Sequence, residues 1–188
     1  MKLLITGLGN LGDDYANTRH NIGFSILDFF AEKYNFQFES ARYAFKAEHR
    51  IKNKQLVFIK PTTYMNRSGK AVRYWLNKLD IPAENSLVLV DDVALPLGKV
   101  RIRNKGGDGG HNGLSDIIDI LQTNQFPRLR IGVGNDYPKG FQVDHVLGTW
   151  TDEEMKVLSE KFTFIHDAIY SFIFEGVNRA MTKYNKNE

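Results

Sequence analysis

Short apolar segments of strand length alternate along this chain with longer segments whose apolar residues recur at helical spacing. Leu87–Val90 is apolar at every position, which is typical of a strand that is covered on both faces of a sheet. Lys2–Thr6 is predicted to be another buried strand, whereas Gly23–Tyr34 and Ser68–Leu79 carry apolar residues along one helical face. Strands that alternate with helices predict the α/β class, here a twisted, mixed and mainly parallel sheet flanked by helices.

The remaining elements continue this alternation. Strands are predicted at Phe45–Ile51, Gln55–Ile59, Lys99–Arg103 and Arg128–Val133, and a helix at Leu114–Leu121. Thr151–Thr182 is predicted to be mostly one long C-terminal helix, which starts with the capping-box pair Thr151 and Glu154 and can kink or end at Gly176. Asn35–Ser40 has no convincing strand pattern. No linker or repeat divides the chain, so we expect one domain over residues 1–188.

Composition limits the chemistry and the location. The chain has no cysteine, so no disulfide stabilises the fold and no thiolate serves as nucleophile or metal ligand. The N-terminal apolar run Leu3–Ile5 is too short for a signal peptide, and no window approaches the roughly 18–20 apolar residues of a membrane span. We therefore expect a cytoplasmic protein without membrane contact. A monomer is expected because no long apolar stripe is left over once each helix has a core-facing side.

Basic residues cluster in the second half of a chain whose formal net charge is +3. Arg101, Arg103 and Lys105 come together, and Arg128 and Arg130 follow. Such a group can contact the phosphates of a nucleic acid. The charges alone fit solvated side chains at a strand edge slightly better, because the surface is the usual place for arginine and lysine.

A glycine-rich segment, Gly7-Leu-Gly-Asn-Leu-Gly12, follows the first strand and matches the dinucleotide-binding pattern G-x-G-x-x-G. That fingerprint should open directly into a helix whose N-terminus binds pyrophosphate, but Asp13 and Asp14 stand there and would repel it. The acidic residue expected after a second strand has only Glu39 as a candidate. A dinucleotide-dependent oxidoreductase is therefore a weak alternative. No His, Asp and Glu residues have metal-site spacing along the sequence, so no metal is expected.

Five motifs follow one another from the first predicted strand onward. They are Gly7-Leu-Gly-Asn-Leu-Gly12 with Tyr15 and Thr18-Arg-His-Asn-Ile-Gly-Phe24; Lys60-Pro-Thr-Thr-Tyr-Met-Asn-Arg-Ser-Gly69; Asp91-Asp92 with Leu95-Pro-Leu-Gly98; Gly109-Gly-His-Asn-Gly-Leu114; and Phe126-Pro-Arg-Leu-Arg-Ile-Gly-Val-Gly134. With these motifs the chain resembles the bacterial single-domain type of the peptidyl-tRNA hydrolase family over essentially its whole length. The resemblance implies hydrolysis of the ester between a peptide and the 3′ end of tRNA, without a cofactor.

The chain departs from the family pattern at a few positions. Leu11 stands where the family usually has proline, and Ala94 where it often has a second acidic residue. Arg101 and Arg103 stand where the family often has lysine, which keeps the charge but changes the geometry of a phosphate contact.

The resemblance assigns the central chemistry to His20 and Asp91. A neutral imidazole is available near neutral pH, so His20 is expected to act as the base that activates water. Asp91 is expected to fix the tautomer of this histidine, as the carboxylate of a serine-protease triad does. Asp91 directly follows the buried strand Leu87–Val90, which puts it at the carboxyl edge of the sheet, where α/β proteins bind ligands. His111 is ranked below His20, and a covalent mechanism at Ser68 is disfavoured because the sequence has no nucleophile elbow there.

Three asparagines are expected to bind the substrate, and two further residues are expected to form walls of the cleft. The amides of Asn10, Asn66 and Asn112 offer donors and acceptors that hold a peptide without reading its side chains. Which of them stabilises the oxyanion stays open, and a backbone N–H is an alternative. Tyr15 and Met65 are expected to wall the cleft near the ester, with simple packing as an equal alternative.

The resemblance also implies a tRNA side and a lid. Arg101, Arg103, Lys105 and Arg130 are expected to bind the acceptor stem of peptidyl-tRNA. The segment 135–145 resembles a mobile lid over the peptide groove. A competing hypothesis is a non-catalytic RNA-binding module with a vestigial His20–Asp91 pair.

Overall fold

A seven-stranded mixed sheet forms the centre of residues 1–186, the part of the chain that the computed structural model describes. The strands are β1 (Lys2–Gly7), β2 (Glu39–Ala41), β3 (Ala44–Ile51), β4 (Lys54–Pro61), β5 (Ser86–Asp92), β6 (Val100–Arg103) and β7 (Arg128–Gly132). The helices are α1 (Ile22–Tyr34), α2 (Ser68–Leu79), α3 (Asn112–Leu121), α4 (Gln142–Leu147), α5 (Asp152–Glu175) and α6 (Val177–Tyr184). The α/β class is thereby confirmed.

The strand order is β2-β3-β4-β1-β5-β7-β6. The four central strands β4, β1, β5 and β7 pair in parallel, whereas the edge pairs β2–β3, β3–β4 and β6–β7 are antiparallel. Parallel strands end at the same edge of a sheet, so the loop after β1 lies beside the end of β5. The register that pairs Gly7 with Leu89 brings the first glycine loop close to Asp91, two residues further along β5.

Helices cover both faces of the sheet, which explains why the interiors of β1, β4 and β5 are apolar. In β1, Leu3 and Ile5 pack with α1, α5 and α6, whereas Leu4 points to the face covered by α2 and α3. All three leucine and isoleucine side chains are at most 1% exposed. Fully burying one such side chain contributes roughly 1.5–3 kcal/mol, so the sheet centre is the main source of stability.

Glycines in the first loop allow β1 and α1 to approach closely. A Cβ atom on Gly7 would collide with the carbonyl of Gly23, and one on Gly23 would collide with the backbone of Leu8. After Gly12 the chain forms short 3₁₀ turns at Asp13–Tyr15 and Arg19–Asn21 before α1 begins. The helix of a dinucleotide fingerprint therefore does not follow Gly12 directly, and the glycines have a packing role.

The predicted long C-terminal helix is confirmed as α5, and it ends at Gly176, where the sequence allowed an end or a kink. Gly176 has φ of 84° and separates α5 from α6. The predicted capping box is present: the Thr151 side chain accepts from the Glu154 N–H, and the Glu154 carboxylate accepts from the Thr151 N–H. The sequence did not predict β2 or α4, and α4 begins inside the 135–145 segment. Within residues 1–186, no helix combines the length and the apolar character that a membrane span needs.

Candidate active site

His20 and Asp91 meet at the carboxyl edge of the sheet. His20 lies in the 3₁₀ turn Arg19–Asn21, and its Nδ1 is 2.9 and 3.0 Å from the two carboxylate oxygens of Asp91. Asp91 is the second-last residue of β5, which is buried along its whole length, and is itself 5% exposed. The His20 side chain is 11% exposed and lines a cleft. The predicted pair is therefore formed, with the carboxylate beneath and the imidazole above it.

His111 is a second histidine on the same carboxylate. Its Nε2 lies 2.9 Å from Asp91 Oδ1, while its Nδ1 accepts the backbone N–H groups of Gly113 and Leu114 at 3.1 and 3.2 Å. A ring nitrogen that accepts two N–H groups carries no proton, so the proton is on Nε2 and points to Asp91. His111 thus caps the start of α3 and donates to the carboxylate as a neutral imidazole. The helix was predicted to begin only at Leu114, three residues after His111, so this capping role was not predicted.

Asp91 is ionised, and this fixes the tautomer of His20. Burial alone would raise the pKa of this carboxyl, but the interactions with His111 and His20 outweigh it and lower the pKa to about 2. A carboxylate only accepts, so His20 donates through Nδ1–H and keeps the lone pair on Nε2. Nε2 has no hydrogen-bond partner among residues 1–186 and is available to the cleft.

Asn10 is held rigidly by three hydrogen bonds. Its Oδ1 accepts the Met65 N–H at 2.8 Å, its N–H donates to Asn21 Oδ1 at 2.8 Å, and its carbonyl accepts from Asn21 Nδ2 at 2.9 Å. Because the oxygen end of the amide is occupied, the Nδ2 end is the one left for a ligand; it has no partner within the described chain. Asn21, which orients this loop, was not predicted from the sequence.

The remaining predicted binding residues line the same cleft, which has a volume of about 250 Å³. Its walls are Asn10, Tyr15, His20, Tyr64, Met65, Asn66, Gly110, His111, Asn112, Gln142, Val143, Val146 and Leu147. Asn66 and Asn112 are exposed, and Tyr15 is half-buried. Met65 is 4% exposed and packs against Ser68, whose hydroxyl donates to the Met65 carbonyl. The Ser68 hydroxyl is thus engaged in the fold and buried.

Helix α4 forms a wall that the sequence did not predict. Val143 and Leu147 are 63% and 38% exposed, and Phe141 just before the helix is 53% exposed. Val143 and Leu147 line the cleft together with Tyr64, whose side chain is also exposed. Water contact with so much apolar surface at one cleft is typical of a binding groove.

Arg19 connects the turn that carries His20 to the end of α4 and the start of α5. Its guanidinium donates to both Glu154 oxygens at 3.3 and 2.7 Å and to the His145 carbonyl at 3.0 Å, and it lies over the Trp150 ring. Its own N–H donates to the Gly148 carbonyl. One buried cation therefore connects the His20 turn with the helix that walls the cleft.

We expect Arg19→Met to lower the free energy of unfolding by about 1–3 kcal/mol, because it leaves a half-buried carboxylate and a carbonyl without their donor. The rate of backbone amide hydrogen exchange should increase most in α4 and in the first turn of α5. Lys183→Met is the matched control: its ion pair with Glu175 is exposed and screened by solvent, so the loss of stability in a urea titration should be much smaller than for Arg19→Met. Equal losses in both variants would contradict the role of Arg19 as a connection.

The predicted basic residues divide into exposed and structural ones. Arg101 and Arg130 are directly opposite each other on β6 and β7, and Arg130 Nε is 2.9 Å from Asp92 Oδ2. Arg103 is half-buried on β6, and Lys105 is exposed in the following loop. Arg128 is 1% exposed: it donates to the carbonyls of the 106 and 124 loops, and burial lowers its pKa to about 10. Arg128 therefore holds the glycine loop and is not open to phosphate.

Three groups at the site have atoms that a metal could use. His20, Asp91 and His111 offer ligand atoms within 4.8 Å of one another, a cluster that spacing along the sequence did not predict. The donor set fits a hydrogen-bond network better, because both histidines direct an N–H to the carboxylate at 2.9 Å. A metal would have to displace the His111 proton, which the two backbone donors on its Nδ1 keep on Nε2.

Proteins of known family match this chain along nearly its whole length. The sequence profile of the family described as Peptidyl-tRNA hydrolase matches residues 4–188. A peptidyl-tRNA hydrolase of Phocaeicola vulgatus is 52% identical over 99% of this chain and 100% of its own length, and one of Bacteroides fragilis is 48% identical over the same shares. A solved peptidyl-tRNA hydrolase from Acinetobacter baumannii is 33% identical, has a TM-score of 0.91, and is matched over 98% of this chain and 94% of that chain.

Proposed function

This chain belongs to the peptidyl-tRNA hydrolase family, and on that premise we propose how its cleft carries out the reaction. The reaction is hydrolysis of peptidyl-tRNA, in which the ester between the peptide and the tRNA is cleaved. Ester hydrolysis needs a base for water, a donor for the oxyanion and groups that position the substrate. The predicted site residues supply one candidate for each requirement.

His20 is the base in this proposal. Its Nε2 accepts a proton from a water molecule while the water oxygen attacks the ester carbonyl carbon. The tetrahedral intermediate then collapses, and the same proton passes to the ribose oxygen as it leaves. The supporting observation is the 2.9 Å hydrogen bond from Nδ1 to the buried Asp91 carboxylate, which leaves Nε2 as the acceptor in the cleft. Asp91 stabilises the imidazolium that forms between the two steps.

Asn10 is the proposed donor to the carbonyl oxygen or its oxyanion. The amide is fixed by its bond to Met65, so Nδ2 needs no reorganisation when charge develops on the substrate. Asn66 and Asn112 at the rim hold the peptide through its backbone, and Tyr15 and Met65 limit the space around the ester. Because amides bond to peptide groups and not to particular side chains, the arrangement suits substrates of varied sequence.

On the RNA side, Arg101, Arg103, Lys105 and Arg130 are proposed to contact phosphates of the acceptor stem. Arg101 and Arg130 face each other across two strands, which gives a fixed spacing of charges. Contacts to phosphates carry no sequence information, as an enzyme for many tRNAs requires. Tyr64, Val143 and Leu147 line the cleft, and the other exposed large apolar side chains, apart from Phe141 just before α4, lie outside it. We propose a monomer of one domain that acts in the cytoplasm, where its substrate arises.

The proposal predicts multiple turnovers that do not depend on a metal. Release of labelled N-acetyl-aminoacyl groups from tRNA should exceed the enzyme concentration many times and should be unchanged by EDTA. The control is the same assay on aminoacyl-tRNA without the N-acetyl group, which measures background ester hydrolysis. A folded protein that binds tRNA without turnover would favour the non-catalytic binding module. Loss of activity with EDTA would indicate that a bound metal, and not His20, activates the water.

A further inference from the structure

The exposed face of α2 carries a second group of cations, outside the cleft and away from β6 and β7. Lys70, Arg73, Tyr74 and Asn77 follow at spacings of three and four residues, so they share one face of the helix. With Arg42, Tyr43 and Lys78 they form what we call the α2 surface. A depression of about 470 Å³ lies on it, lined by Tyr43, Lys70, Arg73, Tyr74, Asn77 and Lys78.

Two tyrosine rings form the centre of the α2 surface. The rings of Tyr43 and Tyr74 are edge-on to each other, with centroids 5.5 Å apart. The Arg42 guanidinium lies 5.0 and 5.5 Å from the two ring centroids, and the Lys70 ammonium lies 4.6 Å from that of Tyr43. Cations and aromatic faces thus alternate within a few ångströms, which is the composition of surfaces that stack bases and bind phosphates.

The turn that presents Tyr43 is fixed in an uncommon conformation. Tyr43 has φ of 63°, a left-handed conformation that bulky residues rarely adopt. The carbonyl of Arg42 accepts from the Trp75 indole N–H at 3.0 Å, and the Tyr43 carbonyl accepts from the Thr62 N–H at 2.9 Å. These bonds hold the turn against α2 and β4. Strain that is maintained in this way is more common at functional surfaces than elsewhere.

The charge on this surface is not compensated. Within the described residues, Arg42, Lys70, Arg73 and Lys78 form no ion pair with a carboxylate, whereas Arg130 is paired with Asp92. Four unpaired cations are a local excess in a chain whose net charge is only +3. The partner that matches this surface is a polyanion with flat rings.

We propose that the α2 surface binds the tRNA part of the substrate, with its cations on backbone phosphates and its tyrosine rings against a base. The inference rests on the proposed function, which brings a tRNA 3′ end into the cleft. Helix α2 begins directly after the turn Met65–Arg67, whose Met65 and Asn66 wall that cleft. A helix rises about 1.5 Å per residue, so Lys70 to Lys78 extends over roughly 12 Å from a point about one turn away from the cleft wall. A tRNA esterified in the cleft can reach this distance.

The test compares K70Q/R73Q with wild type on two substrates. One is N-acetyl-aminoacyl-tRNA, and the other is the same N-acetyl-aminoacyl ester on a short 3′-terminal oligonucleotide without the tRNA body. For the full substrate we expect KM to rise roughly 10-fold at 0.1 M salt, and the slope of log binding constant against log salt to become shallower by about 2, as for two lost phosphate contacts. kcat, and all constants for the short substrate, should be unchanged.

The matched control is K156Q/K161Q, which removes two exposed cations from α5 on the opposite face of the sheet. These two substitutions should leave KM and kcat unchanged for both substrates. Binding of deacylated tRNA, followed by fluorescence anisotropy, gives a readout that does not need turnover. Unchanged affinity and salt slope in K70Q/R73Q would overturn the α2 proposal, as would an equal loss in the control pair. Absence of turnover by wild type on either substrate would instead overturn the proposed function, while the anisotropy result would still decide the α2 surface.

Discussion

His20→Ala is expected to lower kcat for N-acetyl-aminoacyl-tRNA by roughly 10²–10⁴-fold, the usual contribution of a positioned general base. KM should change little, because the tRNA and peptide contacts proposed here do not involve the imidazole. The measurement is single-turnover release of the labelled N-acetyl-aminoacyl group, which isolates the ester step from product release. A loss in kcat without a loss in tRNA affinity is the pattern that a base produces and a binding residue does not.

The control separates chemistry from folding. His49→Ala removes a histidine of β3 whose ring packs with Tyr34 and Phe36, none of which lines the cleft. It should cost some stability in urea but leave kcat unchanged. His20→Ala should unfold cooperatively, since His111 still donates to the Asp91 carboxylate. A His20→Ala variant that turns over at the wild-type rate would remove His20 from the mechanism altogether.

Elements with strong local patterns were predictable from the sequence. The predicted helix Ser68–Leu79 has the same bounds in the structure, and Leu87–Val90 forms the interior of β5. Both depend on burial, which spacing along the chain reveals. Helix α4 was missed because it has only six residues and turns apolar side chains to the cleft, so it lacks a core-facing stripe. Strand β2 was missed because three residues are held there by pairing with β3 and not by their own propensity.

The site was only partly predictable, because several of its contacts join residues that are far apart in the sequence. The meeting of His20 with Asp91 could be expected from family resemblance and from the end of a buried strand. The second donor, His111, depends on the placement of α3 and on a cap that histidine seldom forms. Arg19 finds its partner Glu154 a further 135 residues along the chain, and no local pattern reports such a contact. Long-range pairing of polar groups is the part of a site that single-sequence spacing cannot supply.

The two arginines of β7 also show that spacing along the sequence does not reveal which side chains are covered by a distant loop. Arg128 and Arg130 are two residues apart on β7, so they point to the same face of the sheet. Arg128 is covered by the glycine loop and is buried, whereas Arg130 stays half-exposed beside Asp92. Which arginine can meet a phosphate therefore depends on a loop packed above the strand, and not on the strand itself.

Asp91→Asn tests whether the carboxylate controls the His20 tautomer. The amide oxygen would accept the His111 Nε2–H, because the α3 backbone keeps that proton in place. The amide NH₂ would then face His20 and donate to its Nδ1. His20 would have to carry its proton on Nε2, where it cannot accept a proton from water. We expect kcat to fall roughly 10³-fold or more, as for other catalytic histidines whose orienting carboxylate is replaced by an amide.

Three readouts distinguish this tautomer effect from simple damage. Nitrogen-15 NMR of the histidines should move the His20 proton from Nδ1 to Nε2, a change that a merely structural role would not produce. The double variant with His20→Ala should be no slower than the slower single variant, because the two residues act as one unit.

The pH dependence of stability is the third readout. The folded-state pKa of Asp91, about 2, is below its ordinary value of 3.8. Its ionisation therefore stabilises the fold above about pH 4, and that contribution is lost as pH falls through about 2. The stability difference between wild type and Asp91→Asn should therefore narrow between pH 5 and pH 2. Wild-type kcat in the variant, or a stability difference that stays constant over this range, would show that the carboxylate neither orients His20 nor is held ionised by its two histidines.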